Sequence, residues 1–569
     1  MPQLSIATDF YDEVVVNKRF YDREHLAALM AYNRALGADS VDWILDDMWA
    51  LYDDYPGGFD LLRAAADAAH AEGLAFHVVY KPFEGTLSHL ILPQTAPRFA
   101  DMPVRETLCG LVPIVRPFIA AHPECCLRRR PGDEDPGGAV RAIRLVKGDD
   151  APVTLRAEDV SIWTSGINGS FEPYDGRFTL EITREWRPLF PLGRTCTVVT
   201  LGGLDITAGE RYIELRFSEG AFAGQPFRNN YHDLVELVRE DGAAIPSSTA
   251  AAMQPPRDYY LHLLAQPHMT QLIRYAHHPE VRAWLSAPER FAEYAGEMRD
   301  YMRIPSEAGR EYALDECRFV AVARGKADSM PGVLNPACPE VQEEWLRTVR
   351  CCIDRGADAV DFRMGYHLPP QEQWAYGFNE PVLRALDGEA DLAGAARIMG
   401  AAYTQFLRRA GELLHAHGKR IGVHLLTNFL IPRDEGLATP SREIIDAEWE
   451  TWVAEIADFA TLRGAMGLRE ESLRYAIDRF AGACRAADIP LTYQCNRRYF
   501  AGLRDTLDLP GDRLKGLACE MGLALAHPGV TGYQLYETAY FTRLDEHGAF
   551  RGNEQLRPLC RRFLPQEVK

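Results

Sequence analysis

The sequence predicts an α/β chain built on a closed (β/α)8 TIM barrel, with a β-rich domain inserted between its second and third strands. Three observations lead there. A unit of helix, glycine, short apolar strand and polar tip recurs along the 569 residues. The strands are apolar without alternation, as a sheet covered on both faces requires. After the first of these strands the chain reads DDMWALYDDYPGG, not the Gly-rich phosphate turn of an open doubly wound sheet.

The elements follow in order. REHLAALMAYNRALG (23–37) has helical periodicity and is closed by Gly37. SVDWILDDMW is the first strand, with Asp46 and Asp47 at its end. FDLLRAAADAAHAEG is the next helix, and LAFHVVYKPF the second strand, tipped by Tyr80 and Lys81. The spacing then breaks once. From 140 to 217, RFTLEITREW, RTCTVVTLGGLDI and RYIELRF alternate polar and apolar between Gly, Pro and Asp turns, the pattern of antiparallel strands. Trp163 and Trp186 are expected in the core of that domain. The barrel resumes with RFVAVARGK (318–326) as its third strand, and Arg324 at the tip. ADAVDFRMGYH (357–367), KRIGVHLLTN (419–428), ADFATLRG (457–464), IPLTYQCNR (489–497) and GVTGYQLYETA (529–539) supply the remaining five. The resulting plan is barrel at 1–100, a linker at 101–139, the β domain at 140–225, a mixed helical connection at 226–310, and barrel with a C-terminal tail at 311–569.

Composition excludes several classes of function. A net charge of −19 argues against a nucleic-acid or anionic-membrane surface, which needs a basic footprint. No apolar run is long enough to span a bilayer, and MPQLSIATDFYDEVVV lacks the pattern of a signal peptide, so a cytoplasmic location is expected. The cysteines are scattered with no CxxC, so neither a disulfide framework nor zinc-ligand spacing is expected. No metal motif and no cofactor motif is present, and a homo-oligomer is left open.

Chemistry on a TIM barrel sits at the C-terminal ends of its strands, which makes the strand tips the place to look. They offer Asp46, Asp47, Tyr80, Lys81, Arg324, Asp361, Arg363, His367, His424, Arg463, Gln494, Asn496, Tyr536 and Glu537. Carboxyl, amide, guanidinium and aromatic groups together suit carbohydrate. Glycoside cleavage needs one carboxyl to protonate the leaving oxygen and another as nucleophile or base. Flat faces for sugar rings are expected from Trp43, Trp49, Tyr80, Trp374 and Tyr536.

The stretch YGFNEPV poses a question of its own, because Asn-Glu-Pro carries the acid/base glutamate in many sugar-cleaving barrels. Glu380 lies well past the expected end of its strand near Met364 and directly before a Pro, which suits the first turn of a helix.

With VLNPACPEVQEEWLRTV, GADAVDFRMGYH, YGFNEPV and EWETWVAEIADFATLR, the chain resembles bacterial family-10-like (hypothetical) glycosyl hydrolases over roughly 15–90 and 315–545. The resemblance implies a TIM barrel acting on carbohydrate, with Asp361 as the fourth-strand carboxylate. Relatives carry a second acidic residue soon after it, whereas DFRMGYH has none. The expectation is therefore an O-glycoside hydrolase with Asp361 as nucleophile or base and Glu537 as general acid, Glu448 and Glu380 in reserve. Arg363, His424, Gln494, Asn496 and Tyr536 would bind hydroxyls. Strands 4 and 8 face each other across a barrel, so the wider, inverting separation is expected. Two alternatives stand beside it. One is a carbohydrate-binding barrel without turnover. The other is a lyase or isomerase using a metal, or a Schiff base, at Asp46, Asp47 and Lys81.

Overall fold

The computed structural model describes residues 3–10, 13, 21–45, 59–83, 118, 121–131, 136–166, 172–187, 194–218, 220–222, 227, 235–252, 319–325, 329–364, 376–430, 445–464, 470–495, 499–500, 507–545 and 547–563. The chain opens with strand β1 (Gln3–Asp9), helix α1 (Arg23–Leu36), β2 (Ser40–Ile44), α2 (Leu61–Ala71) and β3 (Ala75–Tyr80). Asp22 caps α1 by accepting a hydrogen bond from the His25 amide at 2.9 Å, and Gly37 closes it at φ 96°, a left-handed conformation that costs glycine little.

A long excursion follows. Strand β4 (Cys126–Arg128) precedes β5 (Val140–Val146), β6 (Val160–Ser165), β7 (Glu172–Pro173), β8 (Thr179–Arg187), β9 (Arg194–Ile206) and β10 (Tyr212–Phe217). Then come β11 (Val235–Val238), β12 (Ala244–Ile245), β13 (Ser247–Ala252), β14 (Phe319–Arg324) and β15 (Ser329–Leu334). Two five-stranded antiparallel sheets, ordered β13-β14-β10-β6-β7 and β12-β11-β5-β9-β8, share one apolar core that includes Ile143, Leu201, Ile213, Leu237 and Val322. Strands β4 and β15 pair with each other as a separate two-stranded ribbon.

The chain then runs α3 (Pro339–Asp354), β16 (Ala359–Arg363), α4 (Glu380–Ala385), α5 (Leu392–Ala416), β17 (Arg420–Leu426), α6 (Trp449–Glu455), β18 (Phe459–Arg463), α7 (Glu470–Ala486), β19 (Leu491–Gln494), α8 (Gly511–Leu525) and β20 (Gly532–Leu535). A short helix, α9 (Thr538–Phe541), follows β20. Strands β1, β2, β3, β16, β17, β18, β19 and β20 close a parallel barrel.

The closed barrel is as expected, but the strand count shifts by one. The first barrel strand is Gln3–Asp9, and 319–324 belongs to the inserted sheet, paired with β10 and β13. The β-rich segment therefore leaves the barrel after its third strand and returns before its fourth. A short apolar strand buried on both sides reads alike in a barrel and in a sandwich, so hydrophobicity could not separate the two. Residues 235–252 carry three short strands rather than a helical connection; the rest of the connection expected at 226–310, from 253 on, lies outside the described residues. Trp186 is 64% exposed rather than in the core, and Trp163 lies half-buried under the Arg216 guanidinium, 3.8 Å from its ring centroid.

Register fixes which side chains enter the barrel. Asp9 aligns with Ile44, Val79, Asp361, Gly422 and Phe459, and continuing this ladder round the ring returns to β1 eight residues earlier. That stagger of about eight is the shear of a TIM barrel, whose interior stacks side chains in layers of four from alternate strands. The opposite parity, including Ile6, Trp43, Phe76, Tyr80, Phe362 and Val423, is apolar and buried under the helices.

Candidate active site

Spreading the eight-residue stagger evenly over the strands sorts the inward residues into layers. Asp9, Lys81 and Leu426 form the uppermost layer among the described residues, at the C-terminal mouth. Ile44, Arg363, Arg463 and Tyr536 lie beneath it. Ala7, Val79, His424 and Gln494 come next, then Asp42, Asp361, Thr461 and Gln534. Ser5, His77, Gly422 and Thr492 follow.

Contacts support this stacking. Arg363 and Arg463 place their guanidinium carbons 5.7 and 5.0 Å from the Tyr536 ring centroid, as members of one layer should. His424 Nε2 meets Gln494 Oε1 at 3.1 Å within the next. Thr461 donates to Asp361 Oδ2 at 3.1 Å, and the Gln534 amide donates to Asp42 Oδ2. Between layers, His424 Nδ1 meets Asp361 Oδ2 at 3.2 Å, and His77 Nδ1 meets Asp42 Oδ1 at 3.0 Å. Arg420 donates to His77 Nε2 at 3.0 Å. A guanidinium cannot accept, so His77 carries its proton on Nδ1 and donates it to Asp42. Burial works to raise the Asp42 carboxyl, but the hydrogen bonds it receives from His77, Ser5 and Gln534 outweigh it and hold the group below its ordinary value.

The mouth itself is compact. Asp9 is 7% exposed, Lys81 6% and Glu537 1%, so three ionisable groups are almost fully withdrawn from water there. Tyr536, also buried, lies among them: burial pushes its phenol well above the usual range, and the Glu537 carboxylate pushes it further. Arg363 pulls the other way, and Asp9 adds to the rise. Strands β20 and β1 are neighbours, and the Thr538 hydroxyl donates to that of Thr8 at 3.2 Å. Asp9 and Glu537 are therefore adjacent on the rim rather than opposite one another. The Tyr536–Glu537 peptide is cis.

The sequence-predicted residues divide accordingly. Lys81, Arg363, Arg463, Tyr536 and Glu537 meet at the mouth. His424, Gln494 and Asp361 share the barrel interior but lie below it, with Asp361 two layers beneath Arg363 and held by His424 and Thr461. Tyr80 faces outward, its ring 6.0 Å from Phe362, because it follows the inward Val79 on an alternating strand. Trp43 likewise faces outward and stacks on Phe10 at 5.1 Å. Neither offers a face to a sugar.

Arg324 is fully buried in the inserted sheet and donates to the Gly138 carbonyl at 2.8 Å, away from the barrel strands. Glu380 is the first residue of α4, exposed, and paired with Arg384 one turn on. Glu448 is exposed at the start of α6. Both reserve glutamates thus stand apart from the interior network. Asp46, Asp47, His367 and Asn496, with Trp49 and Trp374, lie outside the described residues.

The buried residue of the Asn-Glu-Pro stretch is Asn379. Its Oδ1 accepts from the Arg128 amide at 3.0 Å and from Asn335 Nδ2 at 2.8 Å. Its Nδ2 donates to the carbonyls of Glu124 and Cys126, each at 2.7 Å. All four hydrogen-bonding positions of the amide are used, and none faces a substrate.

Sequence reasoning missed Asp9, Asp42 and His77. The signal for Asp9 was present: QLSIATD is a short apolar run ending in a carboxylate and followed by a helix, the same unit found downstream.

No protein-family model and no curated protein matches this chain. Among solved structures, the chain is similar to the spore cortex-lytic enzyme SleL of Bacillus megaterium QM B1551, at 10% identity and a TM-score of 0.22. The match covers 36% of this chain and 52% of that one, about half its length. A likeness of that size carries no argument. The closed barrel and its layered interior define a TIM barrel with charged and aromatic side chains gathered at its C-terminal mouth.

Proposed function

We propose that the protein is a glycoside hydrolase that cuts an O-glycosidic bond at the barrel mouth, with Glu537 as general acid and Asp9 as nucleophile. The observation that carries this reading is the burial of two carboxyl groups, one at the end of β1 and one just past the end of its neighbour β20, beside one tyrosine phenol. Burial keeps a carboxylic acid protonated more easily, which a general acid requires. The acid would protonate the leaving oxygen while the other carboxylate attacks the anomeric carbon, so that the glycosidic C–O bond breaks as the new one forms. Water, deprotonated by the first carboxylate, then releases the sugar. Adjacent strands suit the close spacing of retaining enzymes, about 5–5.5 Å, better than the wider spacing of inverting ones. This replaces the expected cross-barrel pair. Asp361 becomes a brace beneath the site.

The test is a broad panel of glycosides assayed for release of reducing ends. Turnover with retained anomeric configuration is expected, and both Glu537→Gln and Asp9→Asn should lower it by about 10²–10⁴-fold. Near-native turnover in both variants, or no cleavage across the panel, would overturn the reading. Lys81, buried in the same layer as Asp9, favours a second one: a Schiff-base lyase. Borohydride trapping of substrate on Lys81 would select it.

A further inference from the structure

We propose that the neck joining the barrel to its inserted β domain holds a divalent cation of the zinc class, bound by His122, Glu124 and Cys125 with Cys338 alongside. The place is defined by topology. Cys125 immediately precedes β4 and Cys338 follows soon after β15, and these two strands pair as the ribbon through which the chain leaves for the inserted sheets and comes back. Residues 213 apart in sequence are thus brought together where the excursion begins and ends.

The donor set is mixed rather than merely acidic. One ligand atom each from His122, Glu124 and Cys125 lies within 4.8 Å of the others, the one such group among the described residues. His122 Nδ1 and Glu124 Oε1 are 3.1 Å apart, and the His122 ring lies against Phe118 with centroids 4.9 Å apart, which fixes its plane. The independent observation is the second thiol: Cys338 lies near enough to Cys125 to act on its thiol, and both are buried and outside any disulfide. Nitrogen, oxygen and sulfur donors at bond lengths near 2.0–2.3 Å stand about 3.3–3.8 Å apart round a tetrahedral zinc ion. Rotamer adjustments of about an ångström close the present spacing to that value. His122 and Glu124 are partly open to solvent, with side chains 39% and 63% exposed, while Cys125 and Cys338 are buried. An ion can therefore enter from one side and meet thiols on the other. A carbonyl framework holds the segment ready: Asn379 binds the carbonyls of Glu124 and Cys126, and the Asn335 amide donates to the Cys125 carbonyl at 2.9 Å. The separate spacing of these residues in sequence explains why no zinc motif was legible.

The experiment uses the full chain, stripped with chelator under reductant and titrated with Zn²⁺ and with Co²⁺. One ion per chain is expected, and the cobalt form should show a thiolate-to-metal charge-transfer band. His122→Ala and Glu124→Gln, both at partly exposed side chains, should each weaken binding by at least tenfold. Cys125→Ser should abolish the charge-transfer band. Failure of the wild-type chain to bind either ion, binding unchanged in the His122 and Glu124 variants, or a Cys125–Cys338 disulfide in protein prepared without reductant would each overturn the proposal.

Discussion

Replacing Asp361 by Asn separates a brace from a catalytic group, and the structure sets the sizes. Asp361 is 1% exposed, and its Oδ2 receives a bond from Thr461 at 3.1 Å and faces His424 Nδ1 at 3.2 Å. Bonds to a charged acceptor contribute about 1.5–3 kcal/mol each, so the pair amounts to roughly 3–6 kcal/mol before desolvation. Burying a carboxylate costs several kcal/mol, which the neutral amide avoids. Asn keeps the shape and one acceptor oxygen, so a net loss of about 1–3 kcal/mol is expected. Urea unfolding followed by circular dichroism measures it. Turnover should change less than tenfold, because two layers of side chains separate Asp361 from the mouth. A catalytic carboxyl behaves oppositely, since general acid or base contributions run to about 10²–10⁴-fold. A fall in kcat beyond a hundredfold with stability unchanged within about 0.5 kcal/mol, the usual range of neutral surface substitutions, would put Asp361 back in the catalytic set.

Asp42 gives a pH dependence. Its folded carboxyl is held below the ordinary value, so the stability it contributes is fully present above the unfolded pKa, about 4, and is lost as pH falls through the folded one. Asp42→Asn should flatten the acid limb of a stability–pH curve below about pH 4, and parallel limbs in the two proteins would refute the assignment. Gly422→Ala should destabilise by about 1–3 kcal/mol or more, because its Cβ would sit 2.4 Å from the Phe459 ring and 2.8 Å from Asp361 Oδ1; a midpoint equal to wild type in denaturant would show the interior to be looser than described. Asn379→Ala should lose roughly 2–6 kcal/mol of local stability, four bonds at about 0.5–1.5 kcal/mol each, read as faster amide exchange at Arg128, Gly377 and Phe378, and unchanged exchange there would deny it the role of clamp.

The barrel was legible because its strands repeat one chemical unit. Gly37, the helix at 23–36 and the strands from 359 onward fall where the pattern puts them. What was not legible is which buried strand belongs to which core. FVAVAR satisfies a barrel and a sandwich equally, and only pairing with β10 and β13 decides. That one displacement also hid Asp9, because a barrel already counted to eight leaves no vacancy for QLSIATD. Orientation was the second loss. Tyr80 and Lys81 are neighbours in sequence, yet one packs under helices and the other enters the mouth, and the parity that separates them comes from closure of the ring.

Depth was the third loss, and it bears most on function. A strand of five residues carries two or three inward side chains at different heights, so the carboxylate of VDFR and its arginine do different work. Arg363, one inward position beyond Asp361, reaches the Tyr536 layer, whereas Asp361 stops at the level of Asp42 and Gln534. The stagger of eight residues, not the strand end as read from hydrophobicity, sets which groups share a plane. A barrel with Asp361, His424, Gln494, Asp42 and His77 in its middle is polar where aliphatic side chains are usual. Such a core is tolerable because its members bond one another from layer to layer. The same arrangement gives it a use. It sets the Asp361 carboxyl and the side-chain amides of Gln494 and Gln534 beneath the layer in which Arg363 and Arg463 flank the Tyr536 ring, so the floor of the proposed site is a bonded polar network rather than an aliphatic plug.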